Sequence, residues 1–201
     1  MFSTLSQDIQ DELSQLAQRF GQPVVHTADL TVGGLFDPLN AKDRYGEVCM
    51  VVRRPNGHLL LMKKIFYPRG GYRLLTGGIN FGEAVHDALL RETYEETGLE
   101  VSIQRFLAAV AYRIPTLSEK TLFYTFAFLL DEVGGVLNPI DEHEQIEGFR
   151  EILPSELSTI ADTLEHTSSS FSDEFDGNWH DWGVFRAVIH RQVWQAFQRN
   201  A

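Results

Sequence analysis

Residues 77–99 read GGINFGEAVHDALLRETYEETGL, and this stretch decides how the rest of the chain is interpreted. Two glycines open it, and residues 83–97 contain neither glycine nor proline, which predicts a helix. An α-helix turns by about 100° per residue, so Glu92, Glu95 and Glu96 fall on one face of that helix. The stretch therefore predicts a glycine-rich loop followed by a helix with clustered carboxylates.

The clustered carboxylates favour a cation as their partner. At spacings of three and four residues, like charges repel by a few tenths of a kcal/mol per pair, roughly, in water. Mg²⁺ relieves such repulsion, since it prefers oxygen ligands and is commonly held by a few carboxylates together with substrate phosphates. The glycines would let backbone amides approach an anion closely. A solvated, glutamate-rich helix face is the alternative for this fragment taken alone.

The composition limits the classes of partner. The chain has 201 residues, with 17 Lys and Arg against 28 Asp and Glu, which gives a net charge of -11. So acidic a surface repels phosphate backbones and disfavours a nucleic-acid or anionic-membrane partner. No apolar run approaches the ~18 residues that span a bilayer. The N-terminus lacks the pattern of a signal peptide, and Cys49 is the single cysteine, so we expect a cytoplasmic protein.

The pattern outside the stretch predicts alternating strands and helices. A helix is expected within the first 20 residues, and residues 47–53 and 58–63 form a predicted hairpin around Asn56-Gly57. We divide the chain into an N-terminal extension of helix and loop, residues 1–45, and a main domain, residues 46–201. Further strands are predicted at 24–40 (with a loop), 72–75, 101–113, 121–130 and 144–152; further helices are predicted at 154–165 and 182–198.

The stretch resembles the Nudix box, which is Gly, five residues, Glu, seven residues, Arg-Glu, an aliphatic residue, any residue, Glu-Glu, any residue, Gly and an aliphatic residue. Thr93 takes an aliphatic position, where its β-branched side chain can still pack. Many members have Pro-Gly-Gly before the box and an acidic residue three positions before its first Glu; here Leu75-Thr76-Gly77 and Asn80 stand instead. The seven fixed identities are Gly77, Glu83, Arg91, Glu92, Glu95, Glu96 and Gly98.

The resemblance implies a fold and an activity. The family has an α/β/α sandwich with a mixed sheet, here with an N-terminal helical extension and a C-terminal helix. It hydrolyses nucleoside diphosphates linked to another moiety X, using Mg²⁺, for which Mn²⁺ is an alternative. The implied partner is thus a small nucleotide diphosphate.

The resemblance also assigns metal ligands. Glu92, Glu95 and Glu96 would bind the metal, with the backbone carbonyl of Gly77 assisting. Glu83 would either brace the junction between loop and helix or bind a further metal ion.

Two catalytic roles are implied for other charged groups. Arg91 would hold a glutamate in place by a charge-assisted hydrogen bond. A carboxylate beside the attacking water would act as the base, and Glu95, Glu96 and Glu144 are all candidates. Glu144 is chosen for its place in the acidic segment 141–147, for which a solvated loop is the alternative.

Substrate contacts are assigned by residue type and position. Arg73 and Tyr112, like Tyr67 and Arg69, lie near predicted strand ends, where such side chains stack on a base or pair with phosphate; ordinary surface positions are the alternative. A proline near position 115 is associated with the branch of the family that hydrolyses ADP-ribose, so Pro115 favours that substrate. It could also simply end a strand.

Other readings of the chain stay open. The extension of residues 1–45 loosely resembles the same branch, in which extensions help to form homodimers, but it could equally pack on its own domain. A nucleotide-binding sensor without turnover and a nucleoside triphosphate pyrophosphohydrolase are alternatives to the proposed hydrolase. A cysteine-dependent isomerase with this fold would require Cys49, which we expect to be buried in a strand.

Overall fold

A mixed sheet of seven strands forms the centre of the computed structural model, which describes residues 4–34, 36, 38–40, 42–114 and 122–199. The strands are β1 (Val24–Asp29), β2 (Arg44–Arg53), β3 (Leu59–Lys64), β4 (Leu75–Asn80), β5 (Leu99–Arg113), β6 (Leu122–Gly135) and β7 (Ile146–Ile152). The helices are α1 (Gln7–Phe20), α2 (Val85–Thr97), α3 (Leu157–Glu165) and α4 (Trp179–Gln198), and a small hairpin of β8 (Phe171–Ser172) and β9 (Gly177–Asn178) precedes α4.

The strand order is β1-β5-β6-β2-β3-β7, and β4 pairs with β2 beside this path. β1 runs parallel to β5 and β2 parallel to β6, whereas the other pairs are antiparallel. Helix α2 packs against β4, β2 and β5, and α4 packs against β5, β1 and β6. The mixed sheet with packed helices confirms the predicted α/β fold class.

Local signals define several of these elements. Gly57 has φ 85° in the hairpin turn between β2 and β3, as its Asn-Gly pair predicts. Gly98 ends α2 in the left-handed region with φ 66°, and its N–H donates to the Tyr94 carbonyl at 2.7 Å. The segment 48–52 of β2 is apolar and fully buried, which is typical of a central strand.

The strand predicted at 72–75 lies further along the chain. Arg73 forms only an isolated bridge to Met62, and the strand proper, β4, continues through Gly77 and Gly78. The predicted strand 72–75 stops before these glycines. A Cβ at Gly77 would lie 2.2 Å from Glu92 Cδ, so glycine here allows α2 to approach the sheet closely.

Other boundaries also differ from prediction. The strand predicted at 121–130 extends further along the chain, and Gly134 and Gly135 are the last residues of β6. The strand predicted from 144 begins at Ile146, because Glu144 belongs to a 3₁₀ turn. Residues 171–178, for which no strand is predicted, form the β8–β9 hairpin.

The N-terminal segment contributes a strand to the main sheet. Helix α1 begins after Ser6, whose side chain accepts from the Ile9 N–H at 3.4 Å. β1 then pairs along its whole length with β5. The division at residue 45 stays a prediction, although the two parts share one sheet. No helix in the described ranges is long and apolar enough to cross a membrane.

Candidate active site

A cleft of about 430 Å³ lies where α2, β2, β4 and α4 approach one another. Its volume is within the range of roughly 300–1,000 Å³ that is usual for small-molecule sites. The cleft is lined by charged side chains of both signs. The acidic residues are Glu47, Glu92, Glu95, Glu96, Glu144 and Glu174, and the basic residues are Arg44, Lys64, Arg73, Arg91 and Arg186.

Arg91 holds the carboxylates of the predicted site together. Its Nε and Nη2 donate to the two oxygens of Glu83 at 2.7 and 2.8 Å. Its Nη1 donates to Glu92 Oε1 at 2.8 Å and to Glu95 Oε2 at 3.0 Å, and Nη2 also reaches the Gly78 carbonyl at 3.1 Å. The hydrogen bond to Glu83 raises the pKa of Arg91, and Arg91 lowers the pKa of Glu83. One guanidinium therefore orients three carboxylates.

Glu96 and Glu92 are buried carboxylates of α2, with 1% and 8% of their surface exposed. Burial raises the pKa of Glu96 to about 8, against the attraction of Arg73 and Lys64. Burial also raises the pKa of Glu92, against its hydrogen bond from Arg91. Within the described part of the chain, Glu96 Oε2 has no hydrogen-bond partner. Such carboxylates are costly unless a positive charge joins them.

The donor set fits a hard divalent cation. Glu92, Glu95 and Glu96 offer carboxylate oxygens, of which Glu96 Oε2 is buried and unpaired. No three metal-ligating side chains among the described residues are already gathered closely enough to enclose an ion. Cation binding would therefore compete with Arg91 for Glu92 and Glu95.

Positive side chains of β3 and the following segment line the same cleft. Lys64 Nζ donates to Glu144 Oε2 at 2.8 Å, so the structure brings Glu144 beside the carboxylates of α2. Arg73 is buried rather than exposed, and its guanidinium donates to Tyr67 Oη at 2.9 and 3.0 Å and to Thr76 Oγ1 at 3.0 Å. Glu144 and Arg73, which the sequence predicts as site residues, thus both line the cleft.

The structure differs from the prediction that Tyr112 contacts the substrate. Only 1% of its surface is exposed, and its ring lies 4.6 Å from that of Phe185, so it is a core residue rather than a substrate contact. Its strand, β5, is covered by β1 and β6 on its two edges and by α4. Pro115 lies outside the described residues. Arg69 is exposed. Cys49 is fully buried, and burial raises the pKa of its thiol. A buried, protonated thiol is unsuited to the cysteine-dependent isomerase.

Sequence reasoning missed a buried ion pair beside the cleft. Arg186 Nη1 on α4 donates to both oxygens of Glu47 on β2 at 2.7 and 2.8 Å, and Thr125 Oγ1 donates to Glu47 Oε1 at 2.9 Å. Lys64 was missed as well. The available signal was a charged residue inside an apolar segment, which is rarely buried without a partner.

Comparisons with known proteins identify the family that this chain resembles. The NUDIX domain model matches residues 44–175. An ADP-ribose pyrophosphatase of Methanocaldococcus jannaschii is 28% identical over 138 residues, which are 68% of this chain and 77% of that protein. The NAD-capped RNA hydrolase NudC of Vibrio atlanticus is 31% identical over 94 residues, 45% of this chain and 32% of that protein.

A solved NUDIX hydrolase from Nitrosomonas europaea has a similar fold, with a TM-score of 0.51 at 16% identity, over 78% of this chain and 90% of that chain. At this identity the likeness concerns the fold alone. The NUDIX match covers more than half of the chain, including the carboxylate helix and the strands that support it. The chain belongs to the Nudix hydrolase family.

Proposed function

We propose that this Nudix hydrolase cleaves the diphosphate bond of a nucleoside diphosphate linked to X, with Mg²⁺ as its cofactor and Mn²⁺ as a substitute. ADP-ribose or another nucleotide sugar is the proposed substrate. One observation carries the proposal: Arg91 gathers Glu92 and Glu95 in a cleft that also holds Lys64 and Arg73. Such a site offers carboxylates that can bind a metal ion and positively charged side chains that can bind phosphate oxygens.

Glu92, Glu95 and Glu96 would hold the metal, with the Gly77 carbonyl as a further ligand. When bound, the cation supplies charge neutralisation for the diphosphate and a lower pKa for the attacking water. Glu83 suits the bracing role better than that of a ligand, because both of its oxygens already accept hydrogen bonds from Arg91 and the Asn80 N–H.

The remaining roles fall to the chain's own charged groups. Arg73 and Lys64 would bind phosphate oxygens. We assign the base to Glu144, because Glu92, Glu95 and Glu96 would be taken up by the metal and Glu144 lines the same cleft. Water then attacks a phosphorus atom and its proton passes to the Glu144 carboxylate. The bond from phosphorus to the bridging oxygen breaks, which leaves a nucleoside monophosphate and phosphorylated X.

The names of the similar proteins support the substrate class. One acts on ADP-ribose and the other on NAD-capped RNA. ADP-ribose and NAD both contain a diphosphate that joins two sugar-bearing halves, unlike a nucleoside triphosphate. The absence of a nucleic-acid partner stays a prediction from the net charge of -11. A homodimer and a cytoplasmic location stay predictions too.

A substrate panel tests the proposal. ADP-ribose, NAD, a UDP-sugar and ATP are incubated with the protein and Mg²⁺, Mn²⁺ or EDTA, and the products are separated by chromatography. We expect metal-dependent release of nucleoside monophosphate from the diphosphate derivatives, with ATP cleaved more slowly. A preference for ATP would indicate a triphosphate pyrophosphohydrolase, and nucleotide binding without turnover would indicate a sensor.

A further inference from the structure

A second part of the cleft lining is aromatic. Phe66, Tyr67, Phe175 and Trp182 line it, and we call these four residues the aromatic wall. The rings of Tyr67 and Trp182 lie 4.8 Å apart, and those of Phe66 and Tyr67 lie 5.1 Å apart. Trp179 backs the wall, at 4.4 Å from Phe175 and 6.4 Å from Phe66. The rings therefore form one contiguous cluster, assembled from two distant segments of the chain, that borders the cleft.

The turn of the β8–β9 hairpin is built to hold Phe175 in this wall. Asp176 has φ 50°, a left-handed conformation that is uncommon outside glycine. A Cβ at Gly177 would lie 2.6 Å from Phe175 Cε2 and 2.5 Å from Phe36 Cβ, so only glycine lets these rings pack there. The strain and the close approach fix the position of one ring.

Tyr67 connects the aromatic wall to the charged part of the cleft. Its hydroxyl accepts from Nε and Nη2 of Arg73, which is the buried cation proposed to bind phosphate. A ligand with its phosphates at Arg73 would thus place the adjoining group against the wall.

The charges of Glu47 and Arg186 compensate each other in their buried ion pair. An aromatic surface beside compensated charges suits a flat, uncharged ring. Base-aromatic stacking is also tolerant of base identity, since every base has a π-face.

We infer that the aromatic wall is the nucleobase subsite of this cleft. The base of the nucleoside diphosphate half stacks on Phe66, the half-buried member of the wall, and the three buried rings support it. This inference rests on the proposed function, because it assigns one half of that substrate to a place in the cleft.

Calorimetric titration of AMP and ribose 5-phosphate in the presence of Mg²⁺ tests the inference. The two ligands share the sugar and the phosphate and differ by the base. We expect AMP to bind the wild type more tightly, and Phe66→Ala to weaken AMP binding about tenfold while leaving ribose 5-phosphate unchanged. Phe171→Ala is the matched control, since Phe171 is 63% exposed on β8, in the hairpin that carries Phe175. It should bind AMP as the wild type does.

Phe66→Leu keeps apolar volume without the π-face, so it tests stacking if the alanine variant fails to fold. It should also weaken AMP binding.

Three outcomes would overturn the inference. The wild type could bind the two ligands equally, it could show no detectable AMP binding, or the Phe66 and Phe171 variants could bind AMP with equal affinity. Neither ligand contains an anhydride bond, so these results do not depend on hydrolysis. Base-dependent binding without turnover of the substrate panel would contradict the proposed function alone, and turnover with base-independent binding would contradict the subsite alone.

Discussion

At the scale of single residues, Glu96 suits metal binding but lowers the stability of the folded chain. Its carboxylate is 1% exposed, and burial raises its pKa to about 8. Among the described residues, its Oε2 finds no hydrogen-bond partner. Without a cation such a carboxyl group stays largely protonated at neutral pH, and its unpaired buried oxygen destabilises the folded chain. A metal-binding role would explain why the residue is there.

Replacement of Glu96 separates the two effects. We expect Glu96→Gln to reduce metal-dependent hydrolysis by orders of magnitude, because a neutral amide is a poor ligand for Mg²⁺. The thermal midpoint in EDTA should be unchanged or higher, and the rise in that midpoint with added Mg²⁺ should disappear. Glu100→Gln, at an exposed position of β5, is the control. Normal turnover by a folded Glu96→Gln protein would contradict the metal role.

Gly77 is a second single residue that matters, because the position of the Glu92 carboxylate depends on it. A Cβ there would meet Glu92 Cδ and Oε2 at 2.2 Å, so Gly77→Ala should displace the carboxylate and lower activity at least about tenfold. Gly148→Ala is the matched control, because a Cβ at that strand position meets nothing within 4 Å. Assays of both variants at saturating Mg²⁺ test this. Equal activity would show that Glu92 tolerates the shift.

At the scale of elements, α1 and α2 are linked by a cap that crosses between them. Ala84 precedes α2 and has no side chain that can cap the helix. Glu12 on α1 instead accepts from the Val85 and His86 N–H groups, both at 2.9 Å. A carboxylate at a helix N-terminus also complements the helix dipole. The N-terminal helix therefore stabilises the start of the carboxylate helix.

Loss of this cap should destabilise the protein. We expect Glu12→Ala to lower the free energy of unfolding by about 1–2 kcal/mol, the usual range for removing an N-cap side chain. Asp11→Ala, at the neighbouring exposed position of α1, should cost much less. Urea unfolding followed by circular dichroism measures both. Similar midpoints for the two variants would argue against the cap.

At the scale of the whole molecule, His190 connects the C-terminal helix to the segment that carries Arg73. Its Nε2 accepts from the Leu74 N–H at 2.9 Å, and its Nδ1 lies 2.7 Å from the Arg186 carbonyl. The ring must be neutral to accept at Nε2. Burial lowers the pKa of His190 from 6.5 to about 3. The folded chain therefore resists a proton that the unfolded chain accepts.

This difference predicts a loss of stability in acid. His190 contributes no pH dependence above about pH 6.5; as the pH falls from there toward 3, only the unfolded state binds the proton, and stability drops by up to ~1.4 kcal/mol per pH unit. In NMR spectra of the folded protein, the His190 ring signals should stay constant from pH 8 to 5. The same signals should titrate in urea. A folded-state transition near pH 6.5 would refute the neutral buried ring.

The amino-acid sequence by itself determined the features that depend on neighbours along the chain. The Asn56-Gly57 turn was predicted because its conformation follows from local steric freedom. The carboxylate face of α2 was predicted because helix geometry converts spacing into direction. The strand predicted at 72–75 stops short of Gly77 and Gly78, since glycine serves both where a strand ends and where a helix approaches a strand closely.

Only the tertiary structure decided which side chains share the cleft. Arg186 and Glu47 are 139 residues apart and Glu12 reaches α2 across 73 residues, so spacing along the chain carries no trace of either contact. Arg73 and Tyr112 had equal standing in the sequence, yet one lines the cleft and the other is in the core. The burial of a strand residue depends on which strands and helices cover it, and strand order and helix packing are fixed by contacts between distant parts of the chain.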